Sequence, residues 1–201
     1  MNHFFTRHRI SDERGFTLVE LLVSVMIFTA VMLVAIGSLL SMVDANRKAQ
    51  SIKSAVNNLS FALDAMSRQV RTGSTIHCGA AGALSVPTSN CTEETLLAFE
   101  NFNGNPSDAN DQIVYCQGNN STCSSSGTSI LRSTNGGATY APITSPEVTI
   151  VYMHFNVIGG LPGDGVQPKI VMTLKGYAGT SDRTRTTINL ETMMTTRLLD
   201  E

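Results

Sequence analysis

Arg14-Gly15-Phe16-Thr17-Leu18-Val19-Glu20-Leu21-Leu22 joins a short, charged start to an apolar run that continues to Val43. That run holds one acid, Glu20, and no base. Its length exceeds the roughly 20 apolar residues that a helix needs to cross a bilayer. A carboxylate inside such a span is expensive, about 2.5–3.5 kcal/mol at the bilayer centre on insertion scales. A plain anchor would not need it, so Glu20 calls for a partner. Residues 1–15 carry Arg7, Arg9 and Arg14 beside Asp12 and Glu13. Bases on the N-terminal side hold that side in the cytoplasm and send the remainder out. The expected topology is a single pass through the cytoplasmic membrane with an exported C-terminal body. An ordinary signal peptide cut near Ala35-Ile36-Gly37 is the alternative, but the apolar run is about twice a signal core's usual length.

Gly15-Phe16-Thr17-Leu18-Val19-Glu20 resembles the processing motif of type IV prepilins and of the pseudopilins of type II secretion. The resemblance implies a leader, residues 1–15, removed by a membrane prepilin peptidase that cuts between Gly15 and Phe16. It implies N-methylation of Phe16 by the same enzyme. It also implies an assembly role for Glu20, paired with the terminal amine of a neighbouring subunit. The implied partners are other pilin or pseudopilin subunits, the peptidase/methyltransferase and the membrane assembly machinery. The implied destination is a surface or periplasmic filament.

The composition allows one globular domain beside the anchor. The formal charge is −2 at pH 7. Loss of residues 1–15 removes three arginines and two acids and makes the mature chain one unit more negative. A nucleic-acid binder would show a basic stripe or patch. Arg183 and Arg185 are the body's one basic cluster, and a solvated strand end explains them. Cys78, Cys91, Cys116 and Cys123 all lie on the exported side, where an even count favours disulfides. Four cysteines allow three connectivities. Local pairing, Cys78–Cys91 and Cys116–Cys123, is preferred because each pair brackets a Gly/Ser/Asn-rich stretch. A metal site using His77 and Cys78 is the rival, without a supporting ligand spacing.

Past Val43 the chain turns polar, but the helical period persists. Ala45, Ala49, Ile52, Val56, Leu59, Leu63, Met66 and Val70 make one stripe. No proline interrupts residues 16–72, and Gly73 stands where a C′ glycine would stop the helix. An assembly half at 16–43 and an amphipathic half at 44–73 follow. The body, 74–201, reads as β-rich. Strands are predicted at Thr95–Phe99, Gln112–Cys116, Ser129–Ser133, Val148–Val157, Lys169–Lys175 and Thr186–Leu198, with loops at Gly79–Asn90 and Gly118–Gly127. The expected class is α+β, a long N-terminal helix packed on a C-terminal antiparallel sheet. In length and layout it resembles the larger J-type or W-type minor subunits of the pilin family.

No phosphate-binding loop, zinc-ligand helix or nucleophile elbow is present, and no enzyme is expected. His154 falls in a strand pattern. Asp108, Asn110 and Asp111 form an oxygen-rich loop that could hold calcium but lacks an EF-hand's glycine and final acid, so a solvated turn is preferred and no cofactor is expected. The sequence thus points to a structural minor pilin or pseudopilin. The alternatives are a competence (DNA-uptake) minor pilin and a single-pass anchored binding domain that never assembles.

Overall fold

The structure, a computed structural model, describes residues 15–79, 89–105, 108–161, 163–179 and 185–197. The leader residues before Gly15, most of the Gly79–Asn90 loop, Arg183 and Leu198 lie outside them. Two compact units divide the chain, Met1–Asp44 and Ala45–Glu201. A single helix, α1 (Leu18–Thr72), contributes to both.

In the first unit every described side chain of α1 is exposed, apolar ones included. In the second, Ala55, Leu59, Ala62, Met66 and Val70 are buried, and Ile52 and Leu63 are half-buried. The buried face is rotated from the expected stripe: Val56 is 49% exposed, and Ala45 and Ala49 are exposed. Val56 stands one residue, about 100°, round the helix from Ala55. Two alanines at the contact let the helix backbone approach the sheets closely, which a valine would prevent.

Gly73 ends the helix for a different reason from the one expected. Its N–H bonds to the carbonyls of Gln69 (2.9 Å) and Val70 (3.2 Å), but its φ is not in the left-handed region. A Cβ there would lie 2.5 Å from Phe99 Cδ2 and 3.0 Å from the Glu100 carbonyl oxygen. Space against the next strands requires the glycine.

Ten strands follow. They are β1 (Ser74–Cys78), β2 (Cys91–Glu94), β3 (Leu96–Glu100), β4 (Ile113–Asn119), β5 (Thr122–Cys123), β6 (Ser129–Ser133), β7 (Ala141–Pro142), β8 (Val148–Ile158), β9 (Lys169–Ala178) and β10 (Thr186–Thr195). The expected single sheet is two antiparallel sheets. The first has the order β1-β3-β4-β6-β7 with β5 on β4; the second has the order β10-β9-β8-β2. The chain enters the first sheet, contributes β2 to the second, then returns. Gly118–Gly127, expected as a loop, includes the β4–β5 hairpin, with Gly118 opposite Cys123.

One core joins the three layers. Leu59 and Met66 of α1 meet Phe99, Tyr115 and Ile130 of the first sheet and Met153, Phe155 and Met172 of the second. The Phe99 and Tyr115 rings stack at 6.2 Å. Each such apolar side chain contributes about 1.5–3 kcal/mol by burial. The Tyr115 hydroxyl donates to Gln69 Oε1 and so ties α1 to β4.

Both disulfides are local, Cys78–Cys91 (Cα–Cα 6.3 Å) and Cys116–Cys123 (5.8 Å). The second closes the β4–β5 hairpin. The first does more: it links β1 to β2, and therefore one sheet to the other.

Candidate functional site

The conformation at the N-terminal motif follows from helix capping. Gly15, Phe16 and Thr17 are outside regular structure, and α1 begins at Leu18. Thr17 occupies the N-cap: its Oγ1 accepts from the Glu20 N–H at 3.2 Å, and its carbonyl accepts from the Leu21 N–H at 3.1 Å. A hydroxyl at that position satisfies one of the helix's orphan donors, worth about 1 kcal/mol. The Gly15–Phe16 bond therefore lies outside regular structure, just before the helix. Nothing stands within 4 Å of a Cβ built on Gly15, and Phe16 is 81% exposed. A peptidase needs such an uncovered bond outside the helix.

Glu20 occupies the first helical turn. Thr17-x-x-Glu20 has the capping-box spacing, a signal that attention to the membrane cost of Glu20 passes over. The partial positive charge of a helix N-terminus favours a carboxylate there. Glu20 thus has a local reason for its position besides any neighbour. The Ser24 hydroxyl donates to the Glu20 backbone carbonyl at 2.7 Å. From Phe16 to Val43 the exposed side chains include Leu18, Leu21, Leu22, Ile27, Phe28 and Leu39. The helix is long and apolar enough to cross a membrane. Gly37 leaves α1 uninterrupted, with open space where a Cβ would be.

The other candidates are dispersed. His154 hydrogen-bonds the Glu93 carbonyl through Nδ1 at 3.0 Å and packs beside Tyr152 at 5.4 Å. His77 is buried on β1 with Nδ1 3.1 Å from the Thr75 carbonyl, and Cys78 is in a disulfide, so the two do not form a metal pair. Arg185 lies 4.0 Å over the Tyr177 ring. Asp108 caps a short 3-10 turn, Ala109–Asp111, its Oδ1 accepting from Asn110 N (3.0 Å) and Nδ2 (2.9 Å). Asp111 instead turns inward.

No curated protein and no solved structure matches the chain. One family model does, the prokaryotic N-terminal methylation motif, over residues 10–36. Those residues include the Gly15–Phe16 bond, the Thr17 cap and Glu20. The motif and the apolar helix fit a membrane-anchored precursor processed by prepilin peptidase. Residues 10–36 carry the N-terminal methylation signature of type IV prepilins and pseudopilins.

Proposed function

We propose that this chain is a minor pilin or pseudopilin that helps start, cap or load a filament of a type IV pilus or type II secretion system. The methylation-motif match over residues 10–36, continuous with an exposed apolar helix face, carries the reading. Cleavage after Gly15 creates a cation at Phe16, and Glu20 supplies an anion four residues on. An axial offset between packed helices brings one subunit's amine to its neighbour's carboxylate. Such a pair answers the cost of burying either charge in an apolar bundle.

The minor role is supported by the polar connection between Cys78 and Cys91, because a bulk subunit packed on all sides favours short surface loops. The same argument drawn from Gly118–Gly127 is weaker, because that stretch includes a hairpin in the first sheet. Quantitative proteomics of sheared filaments tests the role. Sub-stoichiometric recovery alongside a more abundant pilin supports it. Recovery as the dominant filament protein makes the chain a bulk subunit. Recovery as an unassembled membrane monomer favours an anchored binding domain.

A further inference from the structure

The main paths of the two sheets end in four edge strands, β1 and β7 in the first and β10 and β2 in the second. Three of the four are blunted. β1 shifts register between Ser74 and His77, with Thr75 at a φ of 51°. β7, like β5 on β4, is two residues long, and it ends in Pro142. β2 is four residues long, shifts register between Cys91 and Glu94, holds Glu93 at a φ of 56° and carries two acids. Short, bulged, charged or proline-bearing edges are how folded proteins keep other chains from pairing with them.

β10 has almost none of these devices. All ten of its residues pair with β9, from Thr186 opposite Ala178 to Thr195 opposite Lys169, without a shift. It contains no proline, glycine or lysine, and Glu191 is its one charged residue. In an antiparallel pair every second residue turns its N–H and C=O away from the partner strand. Among the described residues, no hydrogen bond besides those of the β9 ladder reaches the β10 backbone. The core is open on the same side. Ile188 and Leu190 pack against it yet are only half-buried, whereas Ile170, Met172 and Leu174 of β9 are buried.

We propose that β10 binds an extended segment of another exported protein, which adds antiparallel as a new edge strand. Main-chain bonds to the outward groups of β10 hold it, and its alternate side chains select it. Residues opposite Ile188, Leu190 and Met194 face the core and are apolar. The residue opposite Glu191 lies on the outer face and is a lysine or arginine, because opposite charges across a strand pair attract and like charges repel. The docking surface goes beyond the filament role and holds whether the chain starts, caps or loads a filament.

A second copy of this chain does not fit the edge. The Ser54 hydroxyl donates to the Glu147 carboxylate at 2.5 Å, just before β8. Val148 is opposite Ala178, and Ala178 is opposite Thr186, so Ser54 lies at the end of the body where β10 starts. The Arg197 N–H bonds to the Arg71 carbonyl at 2.9 Å, where both β10 and α1 have finished. α1 and β10 therefore run the same way across the body. Two copies paired antiparallel along β10 would point their helices in opposite directions, which anchoring of both through α1 in one membrane forbids. A parallel pair about a two-fold axis along the strands would turn Ile188 and Leu190 of the two copies to opposite faces, leaving both core edges open. Head-to-tail pairing would need β2, which is bulged.

The test uses the full chain, isotope-labelled in detergent micelles, with two capped peptides as long as β10. Both alternate valine and threonine, and the position that meets Glu191 is lysine in one and glutamate in the other. Hydrogen exchange is followed amide by amide. The lysine peptide at saturation should slow exchange at every second β10 amide by about tenfold or more and leave β1 and β7 unchanged. The glutamate peptide should bind about two- to fivefold more weakly. Glu191→Lys should reverse that order. Ile188→Lys, which sets an inward-pointing charge on the edge, should abolish binding of both peptides. If that variant fails to fold, the reversal by Glu191→Lys decides. No protection from either peptide, or an order of affinity that Glu191→Lys leaves unchanged, would overturn the proposal. So would a peptide-free dimer, seen by light scattering, whose β10 amides are already protected, because a second copy would then fill the edge.

Discussion

The backbone N–H of Met153 donates to the side-chain carbonyl of Gln117 at 2.9 Å, across from one sheet to the other. The same glutamine's Nε2 donates to the Gly127 carbonyl at 2.6 Å and the Val151 carbonyl at 3.2 Å. β8 has a register shift between Ile150 and Tyr152, and Gln117 serves backbone groups that this bulge frees. One buried amide thus bonds β4 to β8 through two contacts and to the segment before β6 through a third.

Gln117→Leu should therefore destabilise the body by about 2–4 kcal/mol, because two buried backbone groups, the Met153 N–H and the Gly127 carbonyl, lose their partners at about 1–3 kcal/mol each. Urea unfolding of the detergent-solubilised chain measures it. A change below about 1 kcal/mol would mean that the backbone re-pairs without the side chain.

Tyr115 gives an alkaline signature. Burial raises its hydroxyl to about 12, although nearby Arg132 pulls the other way. The unfolded group titrates near 10, so its contribution is complete below pH 10 and is lost as pH rises toward 12. Tyr115→Phe removes the bond to Gln69 and should cost about 1 kcal/mol at neutral pH. Between pH 10 and 12 the native chain should lose about 2 kcal/mol that the variant keeps, and the order of stability should reverse. A pH-independent difference would place the hydroxyl outside this account.

The two disulfides should differ in kind. Cys78→Ser with Cys91→Ser removes a link between the sheets, with an expected loss of about 3 kcal/mol for a loop of this size. Cys116→Ser with Cys123→Ser opens a hairpin within one sheet and should cost about 2–2.5 kcal/mol. Hydrogen exchange separates them: the first pair should expose β1 and β2 together, the second only β4 and β5. Equal, uniform loosening by both would contradict the assignment.

How far the sequence discloses this architecture depends on how each element buries its surface. α1 is legible because its length, its uninterrupted period and its apolar first half all agree. β8, β9 and β10 are legible because their residues alternate; Ile170, Met172 and Leu174 are buried while Val171, Thr173 and Lys175 are half-buried. β4 does not alternate, since Ile113 through Gly118 are all buried, so its extent past Cys116 is hidden. β1 and β2 are short and polar, and with them the second sheet's fourth strand is lost to inspection. The docked face of α1 is displaced because Ala55 and Ala62 look neutral beside Val56. At the N-terminus the processing motif is local and readable, whereas the inward turn of Asp111 depends on how the loop folds.

Glu20→Gln should leave cleavage and methylation intact while reducing recovery in sheared filaments. The substitution removes the charge but keeps the shape at the helix N-terminus. Unchanged recovery would assign Glu20 to the helix end alone, where the Thr17 cap and the dipole already favour an acid.

The N-terminal mass of the membrane-extracted protein tests the central claim most directly. The account predicts a chain that starts at Phe16 and carries one N-methyl group. A start at Ser38, or a membrane-bound chain that retains residues 1–15 in the presence of active prepilin peptidase, would contradict it.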